Sequence, residues 1–571
     1  MTGNDVYYCE MSTSTSRHSS GFGSNRGPRG AQTAATATGI LMAATLLSRV
    51  IGMLRETIIG AMYGQSIQSD AYNAAFRIPD LLYYLVAGGA LASTFVPVFT
   101  EYLQKDEESS AWKTYSVVTT VIFVVSTSLV IACEVFAPQL VRLLNPPAPL
   151  GQASLDPALH QKTPAQYAEF IRTTIPLVRI VLPAQVFFMM GGLMMGVQNA
   201  WGKYLNAALA PSIYNIGIIF GAVVISRMGL GLPGLMWGAL LGAFIGNFLL
   251  QLIPVVRIGA KFRPSFAIHH PGAKKVWMLL LPILLGVSLP NIDQQVNSYF
   301  AELLKIGSQT AINQANRIML IPIGIFAQAM GIAILPSMSA MAAHRDYEQL
   351  RNILNKGLRI ITFLTLPCSA LMCILAPQIV SVLYQHGKFT LSNVYNTAGP
   401  LSMYSLGIIF WSIQAVLTRC FYAIQDSLTP VLSGSAITVI FIGLNWTVVH
   451  WTAWGISGLA FMTSLVAGLH TTVLLIVMRR RLSGLNDMFL LKSLTRIVLA
   501  TIALCIATWA SQKIVSMYIP AVSWTPALVQ VLICGAAGLG AFTFVVKTLR
   551  APELTSILQS ALITRVTSRF K

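Results

Sequence analysis

Residues 46–64, LLSRVIGMLRETIIGAMYG, place Arg49, Arg55 and Glu56 in a run that is otherwise Leu, Ile, Val, Met, Gly, Ala and Ser with one Thr and one Tyr. An apolar helix of this length is what a bilayer selects, yet an arginine at its centre costs roughly 2.5–3.5 kcal/mol on insertion scales. Three charges in such a run must therefore face protein or a water-filled cavity, and their purpose is the question that the rest of the chain answers.

The surrounding composition identifies the solvent. The chain has 571 residues, 55% hydrophobic and 10% charged, with a mean hydropathy of +0.66. Soluble globular domains carry about 25% charged residues, so this chain belongs in a membrane. Its apolar stretches are continuous, not alternating, and are long enough to span as helices, which satisfy their own backbone hydrogen bonds. The pattern predicts an all-α polytopic membrane protein with about fourteen spans. The first group lies near 34–64, 70–102, 110–143, 165–199, 203–227, 232–256 and 274–304. The second lies near 308–342, 348–384, 391–424, 427–450, 453–480, 489–516 and 523–548.

The polar break at 257–273 divides this series into two six-helix groups of like orientation, followed by one extra pair. The expected units are a Ser/Gly/Thr-rich disordered cytoplasmic tail (1–33), a first lobe (34–256), a cytoplasmic linker (257–273) and a second lobe (274–480). A terminal helix pair (481–548) and a cytoplasmic tail (549–571) complete the chain. No apolar core or cleavage pattern of a signal peptide occurs in 1–33.

A net charge of +19 raises the question of nucleic acid, but the charges sit on alternate loops. Arg257, Lys261, Arg263, Lys274 and Lys275 fall together, as do Arg479, Arg480, Arg481 and Lys492, whereas 144–164 and the other opposite loops are poor in Lys and Arg. By the positive-inside rule both termini are cytoplasmic and 144–164 is external. The expected setting is a bacterial cytoplasmic (inner) membrane, with no nucleic-acid partner. The cysteines show no CxxC and the histidines no HExxH, so neither a disulfide framework nor a metal centre is indicated.

Catalysis would need a carboxylate pair or nucleophile in a sizeable loop, and the largest external loop, LNPPAPLGQASLDPALHQKTP, offers neither. The chemistry lies within the helices, and the chain is not expected to be an enzyme. The basic residues inside the spans include nine arginines: Arg49, Arg55, Arg77, Arg172, Arg179, Arg317, Arg359, Arg419 and Arg496. Arg172, Arg359, Arg419 and Arg496 are near helix ends, where snorkelling to the interface suffices. Arg49, Arg77, Arg179 and Arg317 are deeper. A planar guanidinium binds phosphate bidentately, so arginines facing one cavity suit an anionic, phosphate-bearing passenger. A structural network of Arg49 or Arg55 with Glu56, Asp70 or Asp80 fits the same charge placement. Span seven adds Asp293, Asn297 and Glu302. A carboxylate among amides there either holds Na⁺ or a proton, or pairs with Arg317.

Several stretches carry a resemblance. SRVIGMLRETIIGAMYG, SDAYNAAFRIPDLLYYLVAGGALASTFVPVFTEY, GVQNAWGKYLNAALAPSIYNIG, ANRIMLIPIGIFAQAMGIAILPSMS, LYQHGKFT and RCFYAIQDSLTPV run in order from 46 to 431. Together they resemble the MurJ (MviN) family of bacterial lipid II flippases, within the multidrug/oligosaccharidyl-lipid/polysaccharide exporter superfamily. The resemblance implies two six-helix lobes around a central cavity, with two C-terminal helices forming a groove for a lipid tail. It implies a monomer that moves lipid II, an undecaprenyl diphosphate bearing a disaccharide-pentapeptide, to the outer leaflet for the cell-wall synthesis machinery. The family's cavity arginines fall on Arg49, Arg55 and Arg317, to which depth adds Arg77 as a further diphosphate ligand; Glu56, Asp70 and Asp80 are supporting charges or gates. The chain departs from the family pattern at Tyr83, Gly88, Asn316 and Leu320. The aspartate of Na⁺-binding relatives falls on Asn297, with Asp293 one turn earlier, as the candidate ion site. No organic cofactor is expected; coupling to Na⁺ or to the membrane potential is.

Three other readings compete. An exporter of another polyprenyl-diphosphate-linked saccharide would use similar arginines, whereas a multidrug exporter for cations would show acidic residues in its deep cavity. A membrane enzyme acting on polyprenyl phosphates would need the missing catalytic loop. A scaffold would not need deep arginines.

Overall fold

The computed structural model describes residues 34–86, 90–147 and 162–554. The expected tails 1–33 and 555–571, Gly88, and most of the loop 144–164 lie outside the described residues. The described chain is helical throughout, without strands. Its first half comprises α1 (Ala34–Tyr63), α2 (Ile67–Ala75), α3 (Arg77–Val86), α4 (Ala90–Gln104), α5 (Glu108–Val135) and α6 (Ala137–Leu144). It continues with α7 (Pro164–Val181), α8 (Ala184–Ala200), α9 (Leu205–Val223), α10 (Pro233–Ala243) and α11 (Leu250–Ile258). The second half comprises α12 (Pro271–Glu302), α13 (Ser308–Pro322), α14 (Gln328–Ala343), α15 (Tyr347–Ile374), α16 (Ala376–Tyr384), α17 (Leu391–Ser405) and α18 (Ile408–Ala423). It ends with α19 (Leu428–Trp451), α20 (Gly455–Arg481), α21 (Asp487–Tyr518) and α22 (Trp524–Thr548).

Ten helical stretches are long and apolar enough to cross a membrane, or eleven if the α17–α18 pair, bent by 43°, is one span. The expected spans 34–64, 70–102 and 274–304 are helical along their described residues but are not among these ten. The second of them is three short helices, α2 to α4, not one rod. Its break has a local cause: Ser66 and Ser69 form a capping box that starts α2, and Phe76 closes it on the carbonyls of Asn73 and Ala74.

The outer faces carry exposed apolar side chains such as Val439 (70%), Leu532 (63%) and Phe544 (72%), as lipid contact requires. Inside, packing follows small residues. A Cβ at Gly217 would meet the carbonyl oxygen of Gly238 at 2.7 Å, so α9 and α10 touch backbone to backbone.

The buried apolar residues form separate cores. Two lie in the first half, one around Ile59, Ala75 and Ala239 and one around Phe95, Trp112 and Leu193. The third, from Phe300 to Leu485, lies in the second half. The fourth, with Phe363, Ile497, Leu504 and Phe542, docks the terminal pair α21–α22 on α15. Helix α12 serves both halves: Ala273 and Val276 belong to a first-half core, while Phe300 belongs to the second.

The two halves are joined at one end. Where α1 finishes, the Ala61 carbonyl accepts from Lys388 N–H (2.8 Å), and Gln65 Nε2 donates to Thr397 Oγ1 (2.7 Å) and the Asn393 carbonyl (3.2 Å). Thr57 Oγ1 donates to the Leu383 carbonyl at 2.7 Å.

Candidate functional site

Glu56 is the centre of the site. It lies on α1 with 5% of its surface exposed, and its Oε1 accepts from Arg55 Nε (3.0 Å) and Nη2 (2.7 Å). The same oxygen pairs with Arg317 of α13, across the seam between the halves. Arg55 completes its bonding by donating from Nη1 to Asn215 Oδ1 of α9 at 2.8 Å. Two guanidinium groups from opposite halves thus converge on one carboxylate oxygen, a geometry that a phosphate oxygen also satisfies.

Counting donors ranks the arginines. A guanidinium has five N–H bonds. Arg55 commits three of them, to Glu56 twice and to Asn215. Among the described residues Arg317 makes a single bond, to Glu56, and its side chain is 33% exposed, so most of its donors face solvent-accessible space. Arg49 is similar, with one bond from Nη1 to the Leu320 carbonyl at 3.0 Å. That bond is possible because α13 passes at Pro322 into a π turn, Ile323–Ala327, and because Gly324 has no side chain where the Arg49 guanidinium lies.

Arg77 differs. Its Nη1 donates to the Leu144 carbonyl (3.0 Å) and Asn145 Oδ1 (2.6 Å), and its Nη2 to the Ser298 carbonyl. With the Gln309 amide in the orientation that satisfies both its ends, its oxygen accepts from Arg77 Nη2 and Nε at 2.9 and 3.2 Å. All five donors are met by protein, and Glu302 lies 3.7 Å away. The expectation that Arg77 joins the diphosphate ligands therefore gives way to a structural position: nothing is left to bind a passenger.

The acidic residues also separate. Asp70 is 1% exposed and pairs with no arginine among the described residues. Its carboxylate accepts from Gly307 N–H (2.7 Å), Thr310 N–H (3.1 Å) and Thr310 Oγ1 (2.8 Å). It therefore caps α13 from the other half, where the helix dipole favours a negative charge. Glu302 does not pair with Arg317; it pairs with Lys162 and lies beside Arg77. Asp80 sits within electrostatic reach of Arg55 and Arg317 but forms no ion pair among the described residues.

The candidate ion site is only in part a set of cation ligands. Asp293 Oδ1 accepts from Thr438 Oγ1 at 2.9 Å. Asn297 Nδ2 donates to Tyr404 Oη (3.1 Å) and Thr463 Oγ1 (2.8 Å), and its Oδ1 accepts from Asn445 Nδ2 (3.1 Å). The Thr463 hydroxyl donates to the Leu459 carbonyl (2.8 Å), which fixes it as an acceptor toward Asn297 and fixes the amide orientation. Amide N–H groups thus face the oxygens that a hard cation would need. Among the described residues Asn445 Oδ1 is without a donor, and the Asp293 carboxylate accepts from Thr438. The Asn297 amide, hydrogen-bonded in this way, does not fit a sodium ligand, and no cluster of three His, Cys, Asp or Glu exists among the described residues.

Sequence reasoning missed Asn215, Lys162 and Gly324. Asn215 carried a signal, being an amide inside the apolar run PSIYNIGIIF. Lys162 carried none, since its Glu302 partner is 140 residues away.

Comparison with known proteins gives a consistent picture. The family model "Lipid II flippase MurJ" matches residues 59–528. A "Probable lipid II flippase MurJ" of Vibrio cholerae is 29% identical over 446 residues, covering 76% of this chain and 81% of the relative. A "Lipid II flippase MurJ" of Burkholderia cenocepacia is 28% identical over 446 residues, covering 76% and 82%. Among solved structures, "Lipid II flippase MurJ, inward closed conformation" superposes with a TM-score of 0.70 at 22% identity, covering 89% of this chain and 99% of that one. An inward-facing MATE-family multidrug transporter of the MOP superfamily gives 0.62 at 15% identity, covering 80% and 99%.

Proposed function

Since the chain belongs to the lipid II flippase MurJ family, we propose that it carries lipid II across the inner membrane, with Arg317, Arg49 and Arg55 holding the diphosphate. The observation that carries this reading is the meeting of Arg55 and Arg317, from opposite halves, on the buried Glu56 Oε1. A passenger anion at that point contacts both lobes at once, so its arrival and departure bias their relative position. The basic groups offset the desolvation of the phosphates.

The cycle is alternating access. In the present state the halves are tied where α1 ends, by Asp70 on α13 and by Gln65 on α17. With the cytoplasmic termini expected from the loop charges, that closed end is external and the site is reached from inside. The passenger's head group enters there, the lobes close behind it, the external ties part, and the head group leaves while its tail stays in lipid. Orientation is open to a direct test. In a cysteine-free background, an impermeant thiol reagent on whole cells should label Ser523→Cys and spare Ser265→Cys; the reverse pattern overturns the orientation.

The driving force is the membrane potential, positive outside, acting on the passenger. It is worth roughly 2.3 kcal/mol per elementary charge per 100 mV, so a dianion moving outward gains about twice that. The Asn297 amide network supports sodium-independent transport. The deciding experiment is the movement of labelled lipid II between leaflets of liposomes containing the purified protein. Transport should proceed equally in sodium and potassium buffers at fixed potential; sodium stimulation abolished by Asp293→Asn would restore an ion site. A carrier that moves undecaprenyl diphosphate sugars of another kind but not lipid II would move the assignment elsewhere in the superfamily. The protein acts as a carrier without catalysis, and as a monomer.

A further inference from the structure

Far from the arginine site, the first turns of α15, the start of α21 and the chain that follows α22 enclose a cavity of about 310 Å³. Asn352, Asn355, Lys356, Arg359, Asn486 and Glu553 supply its polar lining. Arg359 does not snorkel as its position near a helix end suggested. It pairs with Glu553 Oε1, and its guanidinium lies over the Phe489 ring, 4.2 Å from the centroid.

The polar groups of this cavity are incompletely matched. Glu553 is 1% exposed; its Oε1 accepts from Arg359 and from Ser493 Oγ (2.6 Å), while its Oε2 has no partner among the described residues. Asn355 is 4% exposed, and neither its Nδ2 nor its Oδ1 has a partner among the described residues. A buried polar atom left unpaired costs about 1–3 kcal/mol, so these atoms mark a place that something polar completes. Burial raises the Glu553 carboxyl, but Ser493, a backbone N–H and Arg359 outweigh it and hold the group below the ordinary range, hence ionised.

The unmatched atoms specify the ligand. Glu553 Oε2 and Asn355 Oδ1 call for N–H or O–H donors, whereas Asn355 Nδ2 and the Lys356 ammonium call for acceptors. A ligand with a positive donor beside a negative acceptor satisfies both, and a bare phosphate does not. The surroundings add that it is a lipid. Met488, Phe489 and Leu491 on α21 are 66%, 52% and 58% exposed, an apolar flank for acyl chains. Arg479, Arg480, Arg481 and Lys492 lie at the same end of the bundle, the level at which head groups meet basic side chains.

We propose that this cavity binds the phosphoethanolamine head group of a membrane phospholipid, its ammonium at the wall formed by Glu553 and Asn355 and its phosphate on the exposed Lys356. The lipid then ties the terminal helix pair to the second lobe, at a place separate from the diphosphate arginines.

The test is native mass spectrometry of the full-length protein exchanged into micelles holding defined phospholipids. Phosphatidylethanolamine should be retained one per protein, about tenfold more tightly than phosphatidylcholine, whose trimethylammonium has no N–H; tenfold corresponds to about 1.4 kcal/mol. Glu553→Gln keeps an acceptor for Arg359 but turns donors toward the ammonium, and should remove the preference, whatever the weakened Arg359 pair costs in melting temperature in phosphatidylcholine. If that variant does not fold, Asn355→Leu should remove the preference in its place. Equal retention of the two lipids overturns the proposal, and so does stronger retention of phosphatidylglycerol, which would indicate a site for acidic lipid. Equal binding of soluble phosphoethanolamine overturns the lipid assignment.

Discussion

Replacing Arg317 with alanine is expected to slow lipid II translocation by roughly 10- to 100-fold while the protein remains folded and inserted. The estimate comes from charge-assisted hydrogen bonds of about 1.5–3 kcal/mol, at 1.4 kcal/mol for each factor of ten. Arg317 is the largest case because its side chain is one-third exposed and, among the described residues, bonds only to Glu56. Arg317→Lys keeps the charge but loses the planar fork, and should fall between wild type and alanine. The control is Arg77→Ala. That change leaves Glu302 without one of its two cations and orphans the carbonyls of Leu144 and Ser298. It should therefore lower thermal stability by about 3–5 kcal/mol or abolish accumulation. An Arg317→Ala protein that transports at the normal rate would falsify the diphosphate role, and an Arg77→Ala protein of normal stability with lost transport would exchange the two assignments.

The second large effect is expected at Asp70. Asp70→Ala removes three bonds to the start of α13 and leaves the N–H groups of Gly307 and Thr310 without a partner. Each orphaned donor costs about 1–3 kcal/mol while the end stays closed, and nothing comparable once it opens and water enters. The equilibrium between closed and open external ends should shift by tenfold or more toward open. Spin labels at Tyr63 and Tyr395, on either side of the seam, would report it as a longer distance distribution. An unchanged distribution in the Asp70→Ala protein would show that the cap does not hold the end shut. Asp70→Asn keeps an acceptor oxygen and should shift the distribution less.

Helices, membrane residence and the arginine-bearing first span were legible in the sequence because they depend on local periodicity and composition. LLSRVIGMLRETIIGAMYG alone requires a protein-lined or wet environment for Arg49 and Arg55, whatever the rest of the chain does. Charge on alternate loops likewise predicts an orientation without any contact being known. The docking of α21–α22 on α15 and the break of the second span into α2, α3 and α4 were not legible, since apolar content is the same for a straight and a broken rod.

Within the site, the sequence determined that arginines lie in the membrane, and tertiary structure decided what each one does. Arg77 and Arg317 are indistinguishable as isolated residues in apolar helices. Among the described residues, one has its five donors taken by four protein acceptors, on Leu144, Asn145, Ser298 and Gln309, and the other meets only Glu56. Asp70, Glu302 and Lys162 were equally open, because their partners lie 140 to 240 residues away along the chain. A guanidinium or carboxylate is defined chemically by its own covalent structure, but its availability is set by how many of its donors or acceptors the fold has already matched. That number depends on distant segments meeting in space, so the sequence by itself cannot supply it.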